Sequence, residues 1–280
     1  MKKEEKMKEK KRVLFIDIAR GIAIILMLVG HTLAYENGFS QWIYSFHMPL
    51  FVIASGFFFK EEEKIGSVIK NTFLKLVLLI ILVWYICELL FFASLNLPVP
   101  LWQEIKYITI HLFETKFCNI SVLWFFPFLA MIRIFFAIFY KLAKKKEGIV
   151  GICSIFLFLL GYGLSLSEIK LPFKMDVAFT CFFLYQIGHL IRKKDIFSWL
   201  AKHKWNYAIL AVIWLLIAVF IRIDIAKANY GPFGIGLFGA ICGTIVMFKI
   251  SEGIEKIPGV RKFSGFCRKK LYGNFNSSPN

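Results

Sequence analysis

Residues 15–31 read FIDIARGIAIILMLVGH, an apolar run of membrane-crossing length that nevertheless carries Asp17, Arg20 and His31. In a helix, a step of eleven residues makes three turns plus about 20° and rises about 16 Å, so Arg20 and His31 share a face at two depths. Asp17, three residues before Arg20, lies on nearly the same face and within pairing reach. Lipid penalises unpaired charge, so this face looks into protein or a water-filled cavity. The competing reading is that Asp17 and Arg20 snorkel to the cytoplasmic membrane edge. Alignment with His31 sets Arg20 apart from that reading, and Asp17 stays a structural pairing partner.

The remainder of the chain agrees with a membrane setting. Of 280 residues, 58% are hydrophobic and 32 are phenylalanine, with mean hydropathy +0.66, which places the chain among polytopic membrane proteins. The net charge of +17 falls in short lysine runs between apolar stretches rather than along one soluble stripe, which argues against a nucleic-acid partner. Eight windows are expected to span: 13–34, 42–59, 73–95, 122–140, 148–166, 177–191, 205–221 and 233–250. Lys and Arg concentrate at 2–12, 60–75, 141–146, 192–204 and 249–262, and the intervening loops are poorer in them. Eight spans with both termini cytoplasmic satisfy the positive-inside rule at every loop. The expected fold is therefore all-α and polytopic, with a basic cytoplasmic tail at 1–12, a membrane domain at 13–250 and a cytoplasmic tail at 251–280. The first span has a signal peptide's charged start, but Asp17 and Arg20 interrupt its apolar core and seven spans follow, so it is read as retained. Cys87, Cys153, Cys181 and Cys242 fall inside spans without a CxxC pair and read as small packing residues, with no disulfide framework and no metal site.

The second span opens with SFHMPLFVIASG at 45–56. The seven-residue connection at 35–41 makes the first two spans antiparallel neighbours, which puts His31 and His47 at a similar depth near the outer surface. Imidazole titrates near neutrality, so either ring could take a proton from a hydroxyl and pass it on. Alternatively, both are interfacial histidines satisfied by water and carbonyls. Pro49 loosens the start of this helix and leaves backbone groups for a ligand or for Ser45.

Other intramembrane polar residues are less sharply placed. Arg133, at a depth comparable with Arg20, could join it in holding a phosphate-bearing ligand, or pair with Glu88 or a carbonyl. Gln186 and His189 read as interfacial residues, and Asp176 and Asp224 sit at the outer rim, where an acceptor could be met. The chain has no P-loop, no GxGxxG following a strand, no HExxH and no GxSxG nucleophile elbow, so ATP hydrolysis, dinucleotide chemistry and zinc proteolysis have no support.

The sequence closely resembles the membrane-bound acyltransferase 3 family, in particular its branch related to fucose 4-O-acetylase. Five blocks carry the resemblance in family order: FIDIARGIAIILMLVGH at 15–31 with its R-x10-H pattern, FHMPLFVIASGFFF at 46–59, LWFFPFL at 123–129, DVAFTCFFLYQIGHLI at 176–191 and NYGPFGIGLFGAICG at 229–243. The resemblance implies an integral membrane enzyme, commonly of ten spans, that moves an acyl group, most often acetyl, from acyl-CoA to extracytoplasmic carbohydrate. It makes Arg20 and His31 the essential pair and places His47 in the second motif. Arg20, with Arg133, is then expected to hold the donor's phosphates, or Arg20 to order the pore. His31 would be the general base, His47 an oxyanion stabiliser or proton-transfer partner, and Asp176 an acceptor-binding residue. The implied partners are acetyl-CoA as donor substrate, a carbohydrate acceptor and the bilayer, with no permanently bound cofactor. The implied location is the plasma membrane, with the N-terminus cytoplasmic. A glycan transporter or flippase and an inactive truncated relative are the alternatives.

The resemblance stops after about Phe266, where the family continues with a span opening near a Gly-Lys-Asn-Ser motif and this chain reads RKKLYGNFNSSPN from Arg268. The codons CGG AAA AAA CTC TAT GGT AAT TTT AAT TC encode Arg268 to Asn276 and, read one base later, give Gly-Lys-Asn-Ser-Met-Val-Ile-Leu-Ile. A single-base frameshift near Cys267 is therefore expected, and the gene's nucleotides there test it.

Overall fold

A computed structural model describes residues 2–33, 37–94, 102–103, 105–106, 110, 124–203 and 205–260. Among these the fold is helical, and the one strand-like feature is an isolated antiparallel bridge between Asp224 and Asn229. The helices are α1 (Lys2–Thr32), α2 (Gly38–Tyr44), α3 (His47–Phe57), α4 (Ile65–Thr72), α5 (Leu79–Ser94) and α6 (Phe125–Leu142), followed by α7 (Glu147–Leu166), α8 (Met175–Lys193), α9 (Ile196–Leu200), α10 (Trp205–Phe220) and α11 (Ile235–Glu255). Among the described residues, four stretches are long and apolar enough to cross a membrane: Leu14–Thr32, Phe125–Leu142, Glu147–Leu166 and Pro232–Glu255.

The other expected spans depart from that criterion for local reasons. The second is broken into α2 and α3. The third is entered through α4 and a π-helical stretch, Phe73–Leu78. The sixth, α8, carries Asp176, Gln186, His189, Arg192 and Lys193, and α10 has only 16 residues. The proposed frameshift near Cys267 lies outside the described residues.

The chain divides into two compact units. One comprises residues 51–199 and 221–237. Its centre is α8, which is buried nearly all round, including Asp176, Thr180, Gln186 and His189. That explains how so polar a helix persists here: its polar groups meet protein, not lipid. Gly56 of α3 and Gly188 of α8 allow a backbone-to-backbone crossing, since a Cβ at Gly56 would run into the Tyr185 carbonyl and one at Gly188 into the Ile53 carbonyl. On the other side, α7 presents Val150, Ser154, Leu157 and Gly161 to α8 as one helical stripe and leaves Ile152, Phe156 and Leu159 outward. Within that contact Ser154 hydrogen-bonds Gln186. The 221–234 loop is fastened by backbone contacts: Ser165 Oγ donates to the Ala228 carbonyl at 2.5 Å, Lys174 Nζ to the Ala226 carbonyl at 3.0 Å, and Phe233 N to Tyr162 Oη at 2.9 Å.

The second unit comprises residues 1–50, 200–220 and 238–280. Here α10 and the part of α11 in this unit approach through Gly239, which faces Ile217, and Gly243, where a Cβ would lie 2.6 Å from the Trp214 indole. The Gln41 side chain ties α2 to the end of α10, donating to the carbonyls of Ala218 at 2.8 Å and Val219 at 3.1 Å. These are among the last carbonyls of α10, which have no partner within their own helix.

Candidate active site

Helix α1 is continuous from Lys2 to Thr32, so the eleven-residue step from Arg20 to His31 is helical throughout. Its buried stripe runs through Ile16, Ala19, Ala23 and Gly30. Arg20 and His31 each follow a stripe residue by one position, and both therefore flank the packed face on the same side. Arg20 Nη1 lies 3.8 Å from Asp17 Oδ1.

The histidine on α3 is placed by a helix break. Pro49 has no N–H, so the Ser45 carbonyl has no backbone donor four residues on. Helix α2 ends at Tyr44 and α3 starts at His47, with Pro49 in its first turn, where proline is tolerated. At the break the His47 ring reaches back to the Ile43 carbonyl, with Nδ1 to oxygen at 2.9 Å, and shares it with the Phe46 N–H at 3.3 Å. A carbonyl only accepts, so Nδ1 carries the hydrogen, and in the neutral ring Nε2 keeps its lone pair. His47 is 2% exposed.

Tyr44 joins the two histidines. Its ring stands edge-to-face with His47 at 5.0 Å between centroids and with His31 at 6.2 Å. The structure thus brings His31 and His47 to one place around a residue that the sequence reading did not single out. Ser45, in the break, donates from Oγ to the Trp42 carbonyl at 2.7 Å and accepts from Trp214 Nε1–H at 2.9 Å.

The remaining candidates belong to the other unit. Arg133 is half-buried midway along α6, and the side chain of Glu88 lies outside the described residues. Asp176 is buried, not rim-exposed: it is 3% exposed, and its Oδ1 accepts from Leu171 N at 3.3 Å. Asp224 is likewise buried and caps a short turn, its Oδ1 accepting from Ala226 N at 3.1 Å.

An apolar helix with an Arg and a His eleven residues apart, packed beside a proline-broken helix bearing a second His, coincides with a family match. The family model described as an acyltransferase domain, acyltransferase 3, matches residues 13–258. The chain belongs to the acyltransferase 3 family. No curated protein and no solved structure matches it. Family membership together with the apolar helices makes this a membrane acyltransferase-family protein.

One charged cluster in this acyltransferase 3 protein escaped the sequence reading altogether. Lys193 Nζ lies 2.9 Å from Glu61 Oε1 and 2.7 Å from Glu147 Oε1, and His189 Nε2 is 3.1 Å from that Glu147 oxygen and 3.5 Å from Glu61. Tyr140 donates to Glu147 at 3.0 Å. Partial burial pushes the Glu61 carboxyl up, but the hydrogen bonds from Lys193 and Tyr140 and the Lys193 charge outweigh it and hold the carboxyl below its ordinary value. Among the described residues, Glu61, Glu147 and His189 form a group with metal-ligand reach, their atoms within 4.8 Å of one another. The Lys193 ammonium already sits against both carboxylates and supplies the positive charge. His189 is therefore not an ordinary interfacial residue, and its partners come from positions 42 and 128 residues away, beyond any local pattern.

Proposed function

We propose that the chain transfers an acyl group, most simply acetyl, from acyl-CoA to a hydroxyl of a cell-surface or exported carbohydrate, as expected of the fucose 4-O-acetylase-related branch. The observation that carries this reading is the paired-imidazole arrangement around Tyr44, with the His47 Nδ1–H held on the Ile43 carbonyl at 2.9 Å. Two neighbouring imidazoles, one with a fixed tautomer, suit a reaction in which a hydroxyl loses a proton as it attacks a thioester carbonyl and the departing thiolate gains one. In this mechanism His31, exposed beside Tyr44, removes the acceptor's proton. His47 stabilises the tetrahedral oxyanion or assists the transfer. Arg20, positioned by Asp17, holds the donor's phosphates. Eight spans in the plasma membrane with a cytoplasmic N-terminus would put Arg20 toward the donor side and the histidines toward the acceptor side.

The test is acyl transfer from radiolabelled acetyl-CoA to isolated surface glycans by the full chain in lipid nanodiscs. Wild-type transfer, with loss of thioester cleavage in His31→Ala, is the expected result. Glycan translocation that persists in His31→Ala without any transfer by the wild type would overturn the reading in favour of a transporter.

A further inference from the structure

We propose that Trp214 of α10 is a positioning residue for His47, acting through the hydrogen bond from its indole Nε1–H to Ser45 in the α2–α3 break. The proposal rests on the reading above, in which His47 takes part in acyl transfer.

At the break Ser45 N still donates to the Gln41 and Trp42 carbonyls at 3.0 and 3.2 Å and Leu50 N to Phe46 at 2.9 Å, but the Ser45 carbonyl is left without its helical donor. Pro49 cannot donate to Ser45, and Phe46 N reaches the Ile43 carbonyl only at 3.3 Å. That same carbonyl receives the His47 ring. The direction of the imidazole is therefore set by how residues 45 and 46 are held, and both are held by Trp214. Its Nε1–H donates to Ser45 Oγ at 2.9 Å, in a buried contact. Its ring meets Phe46 edge-to-face at 5.0 Å and Trp42 at 5.5 Å. Ser45 Oγ in turn donates to the Trp42 carbonyl, so one hydroxyl links the last turn of α2 to α10.

The indole has a built seat. A Cβ at Gly243 would lie 2.6 Å from Trp214 Nε1, so the bare backbone of α11 leaves the room in which this nitrogen points at Ser45. Trp214 is 4% exposed, and a buried indole N–H without an acceptor would be costly, so the donor and Ser45 fix each other. The chain of contact runs from Gly243 through Trp214 and Ser45 to the carbonyl-anchored ring of His47.

The experiment uses the full chain in nanodiscs, labelled with 15N-histidine, with the His47 resonances assigned by their absence in His47→Asn. Trp214→Phe keeps an aromatic ring but removes the donor together with part of the ring's volume, and Ser45→Ala removes the acceptor alone. In the wild type the neutral His47 ring is expected in the Nδ1–H tautomer, and in each variant that signal divides between tautomers. With acetyl-CoA and acceptor saturating, kcat is expected to fall about 10- to 100-fold in each variant, with little change in either KM. The double variant is expected to match the single ones, because both remove one contact.

An unchanged His47 spectrum in Trp214→Phe would overturn the proposal, as would single-variant losses that multiply in the double variant. Size-exclusion profiles identify a variant that merely misfolds, and Ser45→Ala, the smaller change, then decides the matter. Should the wild type transfer no acyl group, the functional reading fails, while the tautomer comparison still decides whether Trp214 positions the ring.

Discussion

Where α3 crosses α8, backbone meets backbone at Gly56 and Gly188, and the space for a single methyl is filled by a carbonyl of the opposite helix. At the α2–α3 break, by contrast, contact is made by rings and two hydroxyl hydrogen bonds around Ser45, with Trp42, Phe46 and Trp214 about 5 Å apart. Both places depend on an unusual residue, glycine in one and proline in the other. The crossing is fixed by rigid atoms that cannot yield, whereas the break is fixed by side chains that can shift and still remain packed. Substitutions at the crossing should therefore register as lost stability, and those at the break as lost function in a folded protein.

The largest expected effect is at Gly188. Gly188→Ala drives a methyl into the Ile53 carbonyl and should cost at least about 3 kcal/mol, read as loss of a monodisperse, cooperatively unfolding protein in detergent. A stable Gly188→Ala protein would remove the contrast at a stroke. Next comes His47→Asn, which should unfold like the wild type but lower acyl transfer by about 10²- to 10⁴-fold. Pro49→Ala sharpens the comparison further. By returning an N–H to the Ser45 carbonyl it should favour a continuous helix, leave the melting temperature equal or higher, and reduce kcat about tenfold by drawing His47 off its carbonyl.

The smallest expected effect lies in the charged cluster. Because the Glu61 carboxyl is held below its ordinary value near 4.5, its contribution to stability is complete above that value and is lost as pH falls through the lower folded-state value. Denaturant midpoints measured from pH 6 downward should therefore fall less steeply in Glu61→Gln than in the wild type.

Much of this was readable from residue order. The Arg20–His31 alignment, the neighbouring histidines and the disturbance at Pro49 follow from helical period, a short connection and a missing N–H. What could not be read was that the His47 ring would settle on the Ile43 carbonyl, since a ring nitrogen and a main-chain amide are equivalent suitors until the break angle is known. Nor could Trp214 be found, because it lies 169 residues from Ser45 and its reach to that residue depends on the space left at Gly243. Asp176, Gln186 and His189 were misplaced for a related reason. Position near the end of a span says nothing of what surrounds a side chain, whereas α8 is enclosed by its neighbours, with Gln186 and His189 partnered on α7 and Asp176 on the Leu171 amide.

The 221–234 loop has a consequence for variation. Ser165, Lys174 and Tyr162 hold it by the carbonyls of Ala228 and Ala226 and the amide of Phe233. A grip on main-chain atoms is indifferent to which side chains the gripped residues carry. Exposed side chains such as Phe233 can thus be exchanged while these main-chain holds persist, so this loop can change its chemical face without renegotiating its fold.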